Sequence, residues 1–108
     1  MKNITLYYAP DNASLIVRIV LEELGYQYQS VLVDRSIHAH QNERYLKINP
    51  TGLIPTCVID GVVMTETAAI SLSLIESAES TLAPGLASAH RPDFLRWLFF
   101  LSLSLIHI

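Results

Sequence analysis

The chain has only one cysteine, Cys57, so neither an intrachain disulfide nor an all-cysteine metal site can form. Such usage fits a reducing compartment, and a cytoplasmic location is expected. Charge is equally sparse. Charged residues make up 16% of the 108, against 51% apolar. Disordered segments have the opposite balance, so a packed core is expected. The basic residues Lys2, Arg18, Arg35, Arg44, Lys47, Arg91 and Arg96 are scattered, and the net charge is -3, which argues against a nucleic-acid partner. Long hydrophobic runs are missing too. The longest apolar stretch, Phe94 to Ile108, is interrupted by Arg96, Ser102, Ser104 and His107. It falls short of the ~20 residues that cross a bilayer. Near the N-terminus, Asp11 and Asn12 break the first apolar run, so no signal peptide and no membrane partner are expected. This length suits one small domain.

What is present is ordered by turn residues. Ile4-Thr5-Leu6-Tyr7-Tyr8 is β-branched and aromatic and stops at Ala9-Pro10, which predicts a strand. Asp11-Asn12-Ala13-Ser14 predicts a loop rich in helix-capping side chains. Leu15 to Leu24 predicts a helix closed by Gly25. Its few polar side chains include Arg18 and Glu22, i,i+4 partners on one face, so most of the helix should be covered, one side by the sheet and another by something further. Tyr28 to Val33 predicts a second strand, and strand-helix-strand at this spacing implies parallel pairing. Asp34 to Gln41 reads as loop, and Asn42 to Ile48 as a short helix ended by Asn49-Pro50. Thr56 to Ile59 and Val62 to Met64 read as a hairpin around Asp60-Gly61. A helix from Glu66 to about Ser77 follows. The order βαβ, α, ββ, α predicts an α/β, thioredoxin-like fold, a four-stranded mixed sheet with helices on both faces. Residues 1–80 form this unit, 81–89 a linker, and Arg91-Pro92 opens a further helix.

Three features carry possible chemistry. In Thr51-Gly52-Leu53-Ile54-Pro55, the proline must sit at a strand end. A cis bond there would turn the backbone of Ile54 outward, free to pair with an extended peptide. An ordinary trans turn is the plainer alternative. Glu66-Thr67 opens a helix, where backbone N–H groups and a hydroxyl hold an anion while the carboxylate accepts from an ammonium. A plain acidic helix cap is the alternative. In the first loop, Asn12 or Ser14 can stabilise a thiolate at a helix N-terminus, or simply cap it. The lack of a Cys-x-x-Cys pair excludes dithiol redox chemistry. Cys57 fits best as a small buried hydrophobe. His38-x-His40 lacks further nearby ligands, so no metal is expected. Tyr8 is a minor candidate beside a packing role.

Leu6-Tyr7-Tyr8-Ala9-Pro10, Val20-Leu21-Glu22-Glu23-Leu24-Gly25, Ile48-Asn49-Pro50-Thr51-Gly52-Leu53-Ile54-Pro55 and Thr65-Glu66-Thr67-Ala68-Ala69-Ile70 together resemble glutathione S-transferases. The likeness runs in register from Ile4 to about Leu101 and is strongest to the bacterial, beta-like classes. It implies glutathione as co-substrate, with cis Pro55, Ile54 pairing with the cysteinyl part, and Glu66 and Thr67 holding the γ-glutamyl end. The beta-like classes place a cysteine where this chain has Ala13. A mixed disulfide at that position is therefore impossible, and Ser14 and Asn12 rank equally as thiol activators. The tyrosine-type activator of other classes lies near Tyr8.

Arg91 to Leu101 resembles the first helix of the family's all-helical second domain, of which the chain holds only the start. Leu103-Ser104-Leu105-Ile106-His107-Ile108 resembles one translated frame of a transposon-end sequencing adapter. Genuine helix and appended artefact are both open, and the second is favoured. The expected function is conjugation of the glutathione thiolate to a small hydrophobic electrophile, by a protein that is a homodimer at full length. Isomerase, peroxidase or disulfide-reductase chemistry, or a non-catalytic thioredoxin-like interaction module, are the alternatives.

Overall fold

The first strand alternates, and that alternation fixes the layers. In the computed structural model, which describes residues 2–10, 12–78 and 88–104, β1 (Ile4–Tyr8) buries Ile4 and Leu6 on one face and turns Tyr7 to the other. The inward face meets Val17 and Leu21 of α1 (Ser14–Glu23) and Ile70 and Leu74 of α3 (Thr67–Ser77). Each such side chain contributes roughly 1.5–3 kcal/mol when fully buried. Tyr7 packs on the other face against Tyr45 of α2 (Glu43–Ile48), with ring centroids 6.0 Å apart. Helices therefore lie on both faces, as expected.

The sheet order is β2-β1-β3-β4. β2 (Gln29–Leu32) runs parallel to β1, with Leu6 opposite Ser30. β3 (Thr56–Ile59) is antiparallel to β1, with Leu6 opposite Cys57, and β4 (Val62–Thr65) is antiparallel to β3. This is the thioredoxin-like arrangement. The β3–β4 turn has Asp60 at φ 49 and Gly61 at φ 83, both left-handed, as a two-residue hairpin requires. The Asp60 carboxylate accepts the Asn3 N–H at 2.8 Å and so stitches the hairpin to the start of β1.

Some details depart from expectation. Asp34 to Gln41 is not featureless loop but two short 3-10 turns, Arg35–Ile37 and Ala39–Gln41. The Asp34 carboxylate starts the first by accepting the Ser36 N–H at 2.9 Å, and its bonds to Ser36 hold it below the usual carboxylate range. Glu66 precedes α3 rather than opening it, at φ 73, a strained value for a residue with a side chain. Arg18 and Glu22 form no ion pair among the described residues. Glu22 accepts from the Tyr28 hydroxyl at 2.7 Å, and Arg18 lies 4.8 Å over the Tyr8 ring. The outer stripe of α1 is uncovered, with Leu15 and Ile19 more than half exposed. Most of the expected 81–89 linker lies outside the described residues. α4 (Arg91–Ser104) follows, tied to α3 by the Arg91–Glu76 ion pair at 3.4 Å. Residues 105–108 of the adapter-like string lie outside the described residues.

Candidate functional site

The turn into β3 is built on polar side chains that have no water to turn to. α2 ends at Ile48, and Asn49 adopts φ -133, ψ 101, the extended backbone that a following proline demands. Asn49 is 2% exposed, Thr56 fully buried and Tyr45 4% exposed. Leu53 C=O accepts from the Tyr45 hydroxyl at 2.6 Å and from Asn49 Nδ2 at 3.0 Å. Thr56 Oγ1 bonds to the Tyr45 hydroxyl at 2.7 Å and accepts from Asn49 Nδ2 at 3.1 Å. Asn49 Oδ1 takes the N–H and the hydroxyl of Thr51 at 3.1 and 2.7 Å. Burial pushes the Tyr45 phenol up, so it stays a donor. Gly52, at φ 73, sits where a Cβ would come within 3.1 Å of the His40 carbonyl oxygen.

The Ile54–Pro55 bond is cis. Ile54 N–H and C=O make no hydrogen bond to another described residue, although Leu53 before it and Thr56 two residues after it are held. That leaves one open backbone pair at the entry to β3, where an extended chain can pair with it.

The second element is the entry to α3. No side chain caps it, so the N–H groups of its first turn remain open to a ligand. Thr67 is buried and Glu66 is exposed beside it. An acceptor for an ammonium thus adjoins donors for a carboxylate.

The first loop divides the two candidate activators. Ser14 is 1% exposed, and its hydroxyl is spent inside the loop: it donates to Ala9 C=O at 3.1 Å and accepts from Ala9 N–H at 3.3 Å. It does not line the cavity described below. Asn12 does; its Oδ1 accepts the Ser14 N–H at 2.8 Å. Its amide N–H2 makes no bond to a described residue and remains available.

A cavity of about 420 Å³ joins these pieces. Asn12, Ala13, Ile54, Pro55, Glu66 and Thr67 all line it, a volume in the usual range of small-molecule sites. Five of the six expected site residues therefore meet at one place, with Ser14 behind the wall. Arg35, His40 and Leu103 line it as well and were not anticipated. His40 Nδ1 is buried without a partner, and Arg35 reaches across to Pro10 C=O at 2.5 Å. The only hint in the sequence was basic residues in an otherwise polar loop. Cys57 lies in the core, fully buried, its thiol pushed up to about 11 by desolvation. Tyr8 packs against that core, and neither it nor Tyr7 lines the cavity. Among the described residues no three His, Cys, Asp or Glu side chains cluster as a metal site, and no helix is long and apolar enough to cross a membrane.

Known proteins share this architecture. The model of the glutathione S-transferase N-terminal domain matches residues 13–76. Maleylacetoacetate isomerase of Rhizobium meliloti is 41% identical over 86 residues, which are 80% of this chain and 39% of that protein. The transcriptional regulator URE2 of Saccharomyces cerevisiae is 31% identical over 78% of this chain and 26% of its own length. Among solved structures, a glutathione transferase homologue from Sulfitobacter with bound glutathione superposes with a TM-score of 0.86 at 30% identity, covering 94% of this chain and 50% of that one. The chain thus spans half or less of the length of these relatives.

Proposed function

Since the chain belongs to the glutathione S-transferase family, we propose that it is the glutathione-binding unit of an enzyme that uses the glutathione thiolate against a small hydrophobic electrophile. The observation that carries this reading is the open backbone pair of Ile54, in one cavity with Glu66, Thr67 and the free amide of Asn12. Glutathione is an extended tripeptide with a zwitterionic γ-glutamyl end and a second carboxylate. Ile54 takes the cysteinyl backbone; Glu66 takes the ammonium, and Thr67 with the α3 N-terminus takes its carboxylate. Arg35, which lines the cavity, supplies positive charge for the glycyl carboxylate. The bound thiol loses its proton to solvent, and the Asn12 amide and nearby backbone N–H groups stabilise the thiolate, which then attacks the electrophilic carbon as a leaving group departs with its electron pair, or adds to an activated double bond whose other carbon takes a proton from solvent. Residues 1–80 are the binding unit, 81–89 a linker and 90–108 the opening of a helical unit. The whole protein acts as a cytoplasmic homodimer.

The identity to maleylacetoacetate isomerase favours a second reading, in which glutathione adds to a substrate and is released again. Turnover decides between the two, since conjugation consumes glutathione in step with product and isomerisation leaves it unchanged. Binding itself is tested by calorimetry with glutathione on this chain and on Glu66→Ala. We expect Glu66→Ala to weaken binding by about tenfold or more, because a hydrogen bond to a charged group contributes roughly 1.5–3 kcal/mol. A folded protein that does not bind glutathione would remove both enzymatic readings and leave a non-catalytic interaction module.

A further inference from the structure

Ile54 is the residue that meets the peptide, yet nothing on Ile54 itself sets where its backbone points. The groups that do so lie one layer below. Counting protons through the cluster gives a single arrangement. Tyr45 has one hydroxyl proton, and the Leu53 carbonyl, which can only accept, takes it at 2.6 Å. Thr56 must then donate its own proton to Tyr45 Oη at 2.7 Å. Its oxygen in turn accepts one Asn49 Nδ2 proton at 3.1 Å, and the other goes to Leu53 C=O at 3.0 Å. Thr51 fills both acceptor sites of Asn49 Oδ1. Every donor and acceptor of the two amide and hydroxyl side chains on α2 and its C-cap is used once, and no second pattern satisfies them all. The circuit grips Leu53 on one side of Ile54 and Thr56 on the other. The segment between them, with its open N–H and C=O, has no other described hydrogen bond to hold it.

We propose that Asn49 and Tyr45 are positioning residues for the open edge at Ile54: their buried circuit keeps that backbone pair in the orientation that receives the ligand. The proposal rests on the glutathione reading for the identity of the ligand, but not for the existence of the device. Loosening the circuit populates turn conformations in which the pair is misaligned. Apparent affinity then falls in proportion to the aligned fraction. Tyr45→Phe is the sharper probe. It leaves Leu53 C=O and Thr56 Oγ1 each with an Asn49 proton, so the one group that loses its partner is the Thr56 hydroxyl proton; the thermal midpoint reads that cost separately from the loss in binding.

The test compares four full-length chains: wild type, Tyr45→Phe, Asn49→Ala, and Ile75→Val as a core-weakened control at the far end of α3. Glutathione affinity is measured by calorimetry, thermal midpoint by circular dichroism, and the amide resonances of Leu53, Ile54 and Thr56 by NMR without ligand. Tyr45→Phe is expected to bind about fivefold more weakly and Asn49→Ala at least about tenfold, the order of one or two net hydrogen bonds lost from the aligned state. Ile75→Val is expected to lower the midpoint while leaving affinity unchanged. Tyr45→Phe that binds like the control would overturn the proposal. If Asn49→Ala does not fold, Tyr45→Phe decides alone. If wild type itself does not bind glutathione, the ligand reading fails by itself, and the amides decide. Shifted or broadened Leu53, Ile54 and Thr56 resonances in Tyr45→Phe then support the positioning role, and unchanged ones overturn it.

Discussion

Two segments face each other across the cavity, and they are built differently. The turn from Asn49 to Thr56 rests on a saturated circuit of buried side chains, each polar atom paired. Among the described residues, the loop from Ala9 to Ser14 rests on one serine clasp, one asparagine and the Arg35 bond to Pro10 C=O. The first segment orients a ligand and uses its side chains entirely for structure. The second keeps one polar group, the Asn12 amide, uncommitted. On the proposed reading, binding falls to the wall with the buried circuit and thiol chemistry to the lightly built one, in line with the general demand that a recognition edge be held by its supporting shell.

The largest effect that can break this contrast is on the turn. Asn49→Asp keeps the acceptor for Thr51 but removes both protons that Leu53 C=O and Thr56 Oγ1 accept, and it sets a carboxylate against them. Leu53 C=O keeps only the Tyr45 proton and Thr56 Oγ1 loses its donor, while a buried carboxylate faces both, a loss of about 4 kcal/mol, since an unsatisfied buried group costs roughly 1–3 kcal/mol and more when charged. Urea denaturation measures it. A loss no larger than that of the loop variant described next would mean that the two walls are equally strong.

Ser14→Ala comes second. It strips two bonds from Ala9, whose N–H and C=O are buried, at a cost of about 2 kcal/mol. Glutathione affinity should stay within about twofold, as expected for a residue behind the cavity wall. Retained stability with a lost thiolate signal in the glutathione complex would instead return Ser14 to the role of activator.

The same contrast explains what could be seen in the sequence. The turn was legible because its motif is dictated by backbone geometry. Asn49 before Pro50, Gly52 at a left-handed φ and Pro55 at a strand entry each have one physical reason to be there. The hairpin at Asp60-Gly61 and the strand from Ile4 to Tyr8 were legible for the same reason, that local rules and tertiary need agree. The loop was not. Asn12 and Ser14 are both good capping residues, and composition cannot say which hydroxyl or amide turns inward; that is decided by the close approach of Ala9, a tertiary fact. Nor did the sequence show that Arg35 and His40 reach the cavity, because the 3-10 turns that carry them depend on Asp34 capping a segment without hydrophobic period. The further cover expected for one side of α1 is not formed by the described residues, which leave Leu15 and Ile19 exposed, since periodicity reports that a face is apolar, not what lies against it.

Asn12 gives the smallest effect on stability and the most pointed one on chemistry. Its oxygen accepts the Ser14 N–H, so Asn12→Ala should cost about 0.5–1 kcal/mol, the usual range for a lost capping bond. Asn12→Asp keeps that bond and should cost less. The two variants part company at the sulfur. An amide donor favours the thiolate, so removing it in Asn12→Ala raises the thiol pKa of bound glutathione, by about one unit for a bond of that class. Asn12→Asp removes the same donor and adds a negative charge nearby, so it must raise the pKa further, against the order of the stabilities. Thiolate absorbance of the glutathione complex across pH reads both shifts, while calorimetric affinity at a pH where the thiol is protonated should change by less than about threefold, since the peptide's ends are held elsewhere. If the two variants rank in the same order by stability and by thiol pKa, Asn12 is only a cap. The backbone N–H groups at the start of α1 would then be left to carry the thiolate.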